Sequence, residues 1–187
     1  MMSAPTRTVI DVIVEDHREV EELFKQLEST SDSEQLRQLA DQVIAELVRH
    51  SVAEEQYLYP AFREHLDDGD ELADHEISEH SEIEETLKEL ESLDVTEERF
   101  QTLVRELISE VRHHVEDEEN DALPRLENAC GRDELIELGQ KVEQAKQSAP
   151  TRPHPSAPDT PPWNKILAPG AGFVDRVRDS LAGRQTG

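Results

Sequence analysis

Histidine and glutamate recur in this chain at one spacing. The pattern His-x-x-x-Glu-Glu-x-x-x-x-Pro runs from His50 to Pro60 and again from His114 to Pro124. A second repeated piece precedes each copy. The stretch from His17, with Val20, Glu21, Glu22 and Leu27, matches the stretch from His80, with Ile83, Glu84, Glu85 and Leu90. An internal repeat sets the architecture before any other signal. Each half supplies one lone histidine and one His/Glu pair. Imidazole and carboxylate are metal donors, and their repetition predicts a metal site on a pseudo-twofold axis.

Residues four apart in a helix lie on one face, one turn above each other. His50 and Glu54 therefore project together, as do His114 and Glu118. All six groups, His17, His50, Glu54, His80, His114 and Glu118, fall on stripes that are otherwise mainly apolar. Ile10, Ile13, Val20, Phe24 and Leu27 share the stripe of His17, and Leu36, Ala40, Val43 and Leu47 that of His50. Ala73, Glu76, Ile83, Leu87 and Leu90 accompany His80, and Val104, Leu107 and Val111 accompany His114. Unpaired charge on a buried face is costly. Six inward donors from four helices thus predict two metal ions with the carboxylates between them. The donor set suits iron, manganese, zinc, copper or nickel, while structural zinc normally recruits cysteine. Open positions on octahedral ions favour iron or manganese, and a small ligand such as O2, peroxide or nitric oxide. Tyr57, seven residues after His50, is placed facing the site, either as a ligand to ferric iron or as a core aromatic bonded to Glu54. His65, His75, His113 and His154 fall off the stripes or in the tail and are read as solvated.

The elements that must position these groups are four helices, and nothing reads as a strand. Breaks at 29–33, 67–69 and 93–95 are short, so neighbours are antiparallel and the fold is an all-α, up-down-up-down four-helix bundle. Ser31 and Glu34 are spaced for a capping box, and Thr96 also marks a helix start. Pro60 and Pro124 are expected to kink or end the second and fourth helices. A further helix, about 133–146, caps the bundle. Residues 1–147 are read as the bundle with this cap, and 148–187 as a separate tail. The tail holds seven of the ten prolines, a linker composition. Two readings of it stay open. Either it is disordered, or Trp163 anchors it and Phe173, Val177 and Leu181 form a short amphipathic helix.

The chain has 187 residues, enough for one domain with a core. Nineteen basic against 44 acidic residues give a formal charge of −25. That repels nucleic acid and anionic membranes. Cys130 is the single cysteine, so no internal disulfide can form and a cysteine-based metal site is not expected; it is read as a bystander in a reducing compartment. No apolar leader or membrane-length run is present, so a cytoplasmic location is expected. A protein partner engaged through the tail is a further expectation. No nucleophile triad, phosphate loop or dinucleotide fingerprint occurs. A ferritin-like site would want paired Glu-x-x-His motifs, and Glu110-x-x-His113 is a single near-match with its histidine off the stripe.

The order His17, His50-x-x-x-Glu54, His80, His114-x-x-x-Glu118 resembles the hemerythrin-like, or HHE cation-binding, domain over about residues 9–126. The resemblance implies a non-haem di-iron centre in which Glu54 and Glu118 bridge two Fe2+/Fe3+ ions together with an oxo or hydroxo group. It also implies sensing, scavenging or weak peroxidase- or catalase-type chemistry. An iron-responsive regulatory module is the alternative. The pattern departs from animal hemerythrins at one position. Their third helix carries a His-x-x-x-His pair, whereas here Glu76 precedes His80, which speaks against simple O2 carriage.

Overall fold

The computed structural model describes residues 7–156 together with Ala171, Asp175 and Asp179. Among these residues the chain is helical with no strand. Helix α1 (Val9–Ser29) begins at a capping box that spacing did not point to: Thr8 Oγ1 accepts from the Asp11 amide, and Asp11 accepts from the Thr8 amide. Helix α2 (Ser33–Ala53) starts one residue later than expected, because Asp32 rather than Ser31 caps it by accepting from the Gln35 amide. Helices α4 (Gly69–Ser92) and α5 (Glu98–Asp117) complete the four-helix bundle. Thr96 does not cap α5; its hydroxyl bonds to Asp94 instead.

The prolines do not end the helical run. Helix α2 passes through a π-helical turn (Glu54–Leu58) into α3 (Tyr59–His65), and α5 passes through a second π turn (Glu118–Ala122) into α6 (Leu123–Ala129). Each proline sits just inside the segment after its π turn. A proline in an α-helix loses one hydrogen bond and its ring strikes the carbonyl one turn back. The wider turn accommodates it: the Tyr59 amide donates to the Glu54 carbonyl and the Leu123 amide to the Glu118 carbonyl, five residues back in each case. Inserting one residue per turn in this way also shifts the phase of the helix beyond it.

The buried side chains form two apolar clusters. One gathers Phe24, Leu47, Ile83, Leu87, Phe100 and Val111, and the other Val9, Ile13, Leu58, Phe62, Leu123 and Val142. Each cluster draws on α1 and on the elements around it, so the bundle is closed on both sides of the layer where His17, His50, His80 and His114 lie. Helix α7 (Arg132–Ser148) packs along α1 and α2. Gly139 allows the approach, since a Cβ there would lie 2.9 Å from the Arg7 carbonyl oxygen.

Part of the tail is docked. Arg152 pairs with Glu91 of α4 and with Asp179, the Thr151 hydroxyl bonds Asp179, and the His154 amide donates to Glu84. Asp175, which is fully buried, accepts from the Arg152 amide and pairs with His154. The solvated reading of His154 is therefore corrected: a specific carboxylate holds it. Trp163, Phe173, Val177 and Leu181 lie outside the described residues.

Gly69 opens α4 against the end of α3, and a Cβ there would stand 1.9 Å from the Phe62 carbonyl oxygen. Backbone cannot yield as a flexible side chain does. Gly69→Ala is expected to cost about 1–3 kcal/mol, read as a lower thermal midpoint by circular dichroism. An unchanged midpoint would contradict this packing.

Candidate metal centre

Four helices deliver the six predicted groups to one layer. His17 comes from α1, His50 from α2, His80 from α4 and His114 from α5, while Glu54 and Glu118 each open a π turn. All six are buried, the two carboxylates completely. The imidazoles form two pairs, His17 with His50 at 5.0 Å between ring centres and His80 with His114 at 4.9 Å. Each carboxylate reaches into both pairs. Glu54 Oε2 lies 3.1 Å from His50 Nε2 and 3.3 Å from His80 Nε2. Glu118 Oε2 lies 3.3 Å from His17 Nε2 and 3.8 Å from His114 Nε2.

The outer ring nitrogens keep the same twofold order. His17 Nδ1 meets Glu119 at 2.8 Å, and His80 Nδ1 meets Glu55 at 3.1 Å. His114 Nδ1 meets Glu79 at 2.8 Å, and His50 Nδ1 faces Asp16 at 3.5 Å. Lys146 of α7 holds Asp16 in turn, and Arg18 holds Glu119. A carboxylate on Nδ1 orients the ring and leaves Nε2 as the inward donor. Sequence reasoning passed over these four partners. Their signal was present in the repeat, because the second Glu of each Glu-Glu and the acidic residue before each lone histidine occur in both halves.

The repeat breaks at two places, both on the same side. Glu76 stands where the first half has Ile13, and Tyr59 where the second half has Leu123. Glu76 is buried with Oε2 3.1 Å from His114 Nδ1. The Tyr59 hydroxyl lies 2.9 Å from His80 Nε2, 3.4 Å from Glu54 and 3.3 Å from Glu118. Tyr57, read from spacing as facing the site, is instead half-buried beside the cluster of Ile13, Leu58 and Phe62. The expectation counted Tyr57 at α-helical spacing, whereas the extra residue of the π turn moves the inward position further along the chain and brings Tyr59 to the centre. His75 and His113 have side chains 60% and 70% exposed, as expected, and the Glu110/His113 pair points away from the centre. His65 is a correction, since its side chain is only 20% exposed and pairs with Glu134.

The centre suits a cation. Glu54 Oε1 is buried without a partner, and Glu76 Oε2, Glu118 Oε2 and His17 Nε2 are buried with ion-pair neighbours but no well-aligned hydrogen bond. Buried polar atoms are rarely left so. Donor atoms of His17, His50, Glu54 and Glu118 lie within 4.8 Å of one another, as do those of Glu54, His80 and His114, and those of Glu76, His114 and Glu118. Protons take the cation's place in its absence. Burial disfavours the His80 imidazolium, but hydrogen bonds to Glu54 and Glu55 outweigh it and push His80 up to about 9. Burial likewise opposes charge on His114 and His17, yet Glu118, acting on each, raises both. Burial works against the Glu118 carboxylate too, and the charges of His114 and His17 hold it below the usual range. The Tyr59 phenol is pushed well up, first by burial and then by Glu118, Glu54 and Glu76.

A buried, carboxylate-bridged histidine layer inside a four-helix bundle defines a class of cation-binding protein. The chain belongs to the family described as the hemerythrin HHE cation-binding domain, whose model matches residues 8–126. It is 30% identical to an uncharacterized hemerythrin-like protein of Schizosaccharomyces pombe over 97% of this chain and 90% of that one. It is 29% identical to a protein of Nostoc called a DNA nickase, over 76% of this chain but only 40% of that protein's length. The crystal structure of a hemerythrin HHE cation-binding domain-containing protein from Mycobacterium kansasii shares the fold, with a TM-score of 0.66 at 24% identity over 76% of this chain and 89% of that one.

The protonation pattern sets a pH dependence. A histidine whose folded pKa is raised stabilises the fold fully below its unfolded value near 6.5 and loses that contribution as pH rises through the folded value. The metal-free protein should therefore lose thermal stability between about pH 6.5 and 9. Metal loading should reverse the slope, because ligand histidines must shed protons to bind. Calorimetry of both forms across this range checks it; parallel curves would disprove it.

Proposed function

We propose that the chain holds two iron ions in this layer and interacts there with O2, peroxide or nitric oxide, in sensing, scavenging or peroxidase- or catalase-type turnover. His17 and His50 would hold one ion, His80 and His114 with Glu76 the other, and Glu54 and Glu118 would serve both. The observation that carries the reading is the placement of each carboxylate between the two histidine pairs. An all-nitrogen-and-oxygen donor set without thiolate favours iron or manganese over structural zinc. Bound iron supplies Lewis acidity and one-electron redox capacity at open coordination positions.

The chain's own groups restrict what arrives. A cavity beside the four histidines is walled by Val20, Leu47, Ile83 and Val111 and has room for about one water-sized molecule. A space of that size suits a small ligand such as a diatomic. Tyr59 carries a buried hydroxyl proton within hydrogen-bond reach of His80 and Glu118. Glu76 and Tyr59 place oxygen donors on one side only. Anionic oxygen stabilises a more highly charged ion better than neutral imidazole does, so a Glu76 carboxylate favours ferric iron and disfavours reversible O2 carriage. The docked tail supports a second reading, an iron-responsive module, since Glu84 and Glu91 that hold it lie on the same helix as His80. The nickase likeness is not carried over: a formal charge of −25 repels a phosphate backbone.

Two irons per chain are expected in protein produced with iron. Glu54→Ala and Glu118→Ala should each lower metal content and thermal midpoint together, because a ligand that binds only the folded state stabilises it; His75→Ala should change neither. A well-folded, iron-grown protein carrying one metal or none would sink the two-ion claim. A phenolate-to-iron absorption band, if Tyr59 ligates, should vanish in Tyr59→Phe and survive Tyr57→Phe. Reversible O2 uptake by the reduced protein without peroxide turnover would restore the carrier reading.

A further inference from the structure

A second set of metal donors lies away from the central layer. His65 ends α3, Cys130 caps α6 and Glu134 stands in the first turn of α7. One donor atom from each lies within 4.8 Å of the other two. By spacing alone His65 reads as solvated and Cys130 as a bystander, because the chain offers no cysteine partner. Only the placement of the end of α3 beside the α6–α7 junction shows that the partners are a histidine and a carboxylate. We propose that His65, Cys130 and Glu134 form a separate site for one zinc-type divalent cation.

Four observations support the assignment. The donor types are the three that zinc takes from proteins, one of each. A tetrahedral zinc with bonds of about 2.0–2.3 Å places its donors roughly 3–4 Å apart. His65 Nε2 and Glu134 Oε1 already stand 3.1 Å apart, and the Cys130 thiol lies within 4.8 Å of both. The backbone beneath the donors is firm, since the Cys130 amide donates to the Leu126 carbonyl, the Leu66 amide to Phe62 and the Leu135 amide to Gly131. Charge balances as well. Thiolate and carboxylate together neutralise a divalent ion, and Glu64 adds negative potential near the sulfur.

The site differs from the central one in what it selects. Sulfur is a soft donor and shifts preference toward zinc, whereas the central layer offers only nitrogen and oxygen. His65 and Glu134 are 20% and 47% exposed in their side chains, so an ion enters from solvent and keeps an open fourth position. A bound ion would tie the ends of α3 and α6, the helices that come after the two π turns, to the start of α7.

The test uses the full-length chain and Co2+ as a spectroscopic stand-in for zinc. Thiolate-to-cobalt charge transfer can come from Cys130 alone, the single cysteine of the chain, so the signal is independent of whichever metal fills the central layer. One Co2+ per chain beyond that needed to fill the central layer should produce the band, and Zn2+ should bleach it. Cys130→Ala should abolish it, and His65→Ala and Glu134→Ala should each weaken apparent Co2+ affinity by about tenfold or more. One equivalent of Zn2+ beyond that needed to fill the central layer should slow alkylation of Cys130 about tenfold. Absence of the band overturns the proposal. So does a band that survives both His65→Ala and Glu134→Ala, or one that requires two chains per ion.

Discussion

The structure depends on placing ionisable groups in the middle of a hydrophobic bundle. Four histidines and three carboxylates, with Glu76 counted, occupy one buried layer. Such groups are tolerated there only when each charge has an opposite one in contact. The chain meets this by alternation. Glu54 and Glu118 lie between imidazoles on the inside, and Asp16, Glu55, Glu79 and Glu119 hold the outer nitrogens. Apolar clusters lie to either side of the layer and keep water out. A metal ion and a set of protons are alternative solutions to the same electrostatic problem, which links folding, pH and cation binding in one centre.

The two π turns join local sequence to that layer. Glu54 and Glu118 are the first residues of their turns, and Pro60 and Pro124 come soon after. Proline disfavours continued α geometry, and the expanded turn is the form of helix that still lets the chain proceed. Its consequence is rotational. The residues beyond each turn present a different face, which carries Tyr59 inward and leaves Tyr57 at the side. Covalent constraint at the proline thus selects which tyrosine meets the centre.

Symmetry and its breaks divide the roles. The features common to both halves build the cage, namely the histidines, the inner glutamates and their outer carboxylate partners. Glu76 and Tyr59 do not recur; they sit on one side and make the two histidine pairs chemically unequal. The outer structure reaches the centre as well. Lys146 of α7 contacts Asp16 behind His50, and the docked tail segment pairs with α4 through Glu84 and Glu91. Neither belongs to the repeat, and both restrain helices that carry histidines.

The sequence by itself determined the helical class, the four main helices and the residues of the central layer. Those features rest on local periodicity, and a polar group repeated on an apolar stripe is visible without coordinates. Glu76 was legible for the same reason. Tyr59, the capping by Thr8 and Asp32, and the pairing of His65 with Glu134 were decided by the folded chain. The tyrosine depended on a change of helical pitch that spacing rules assume away. The caps depended on which of several adjacent polar side chains reached an amide. Cys130 and Glu134 are near neighbours across the α6–α7 junction, but His65 is remote in sequence, and only the fold brings the end of α3 to that junction, with the three donor atoms within 4.8 Å of one another. Periodicity reports which face of a helix is buried; it carries no information about where helix ends meet or how a turn wider than α rotates the residues beyond it.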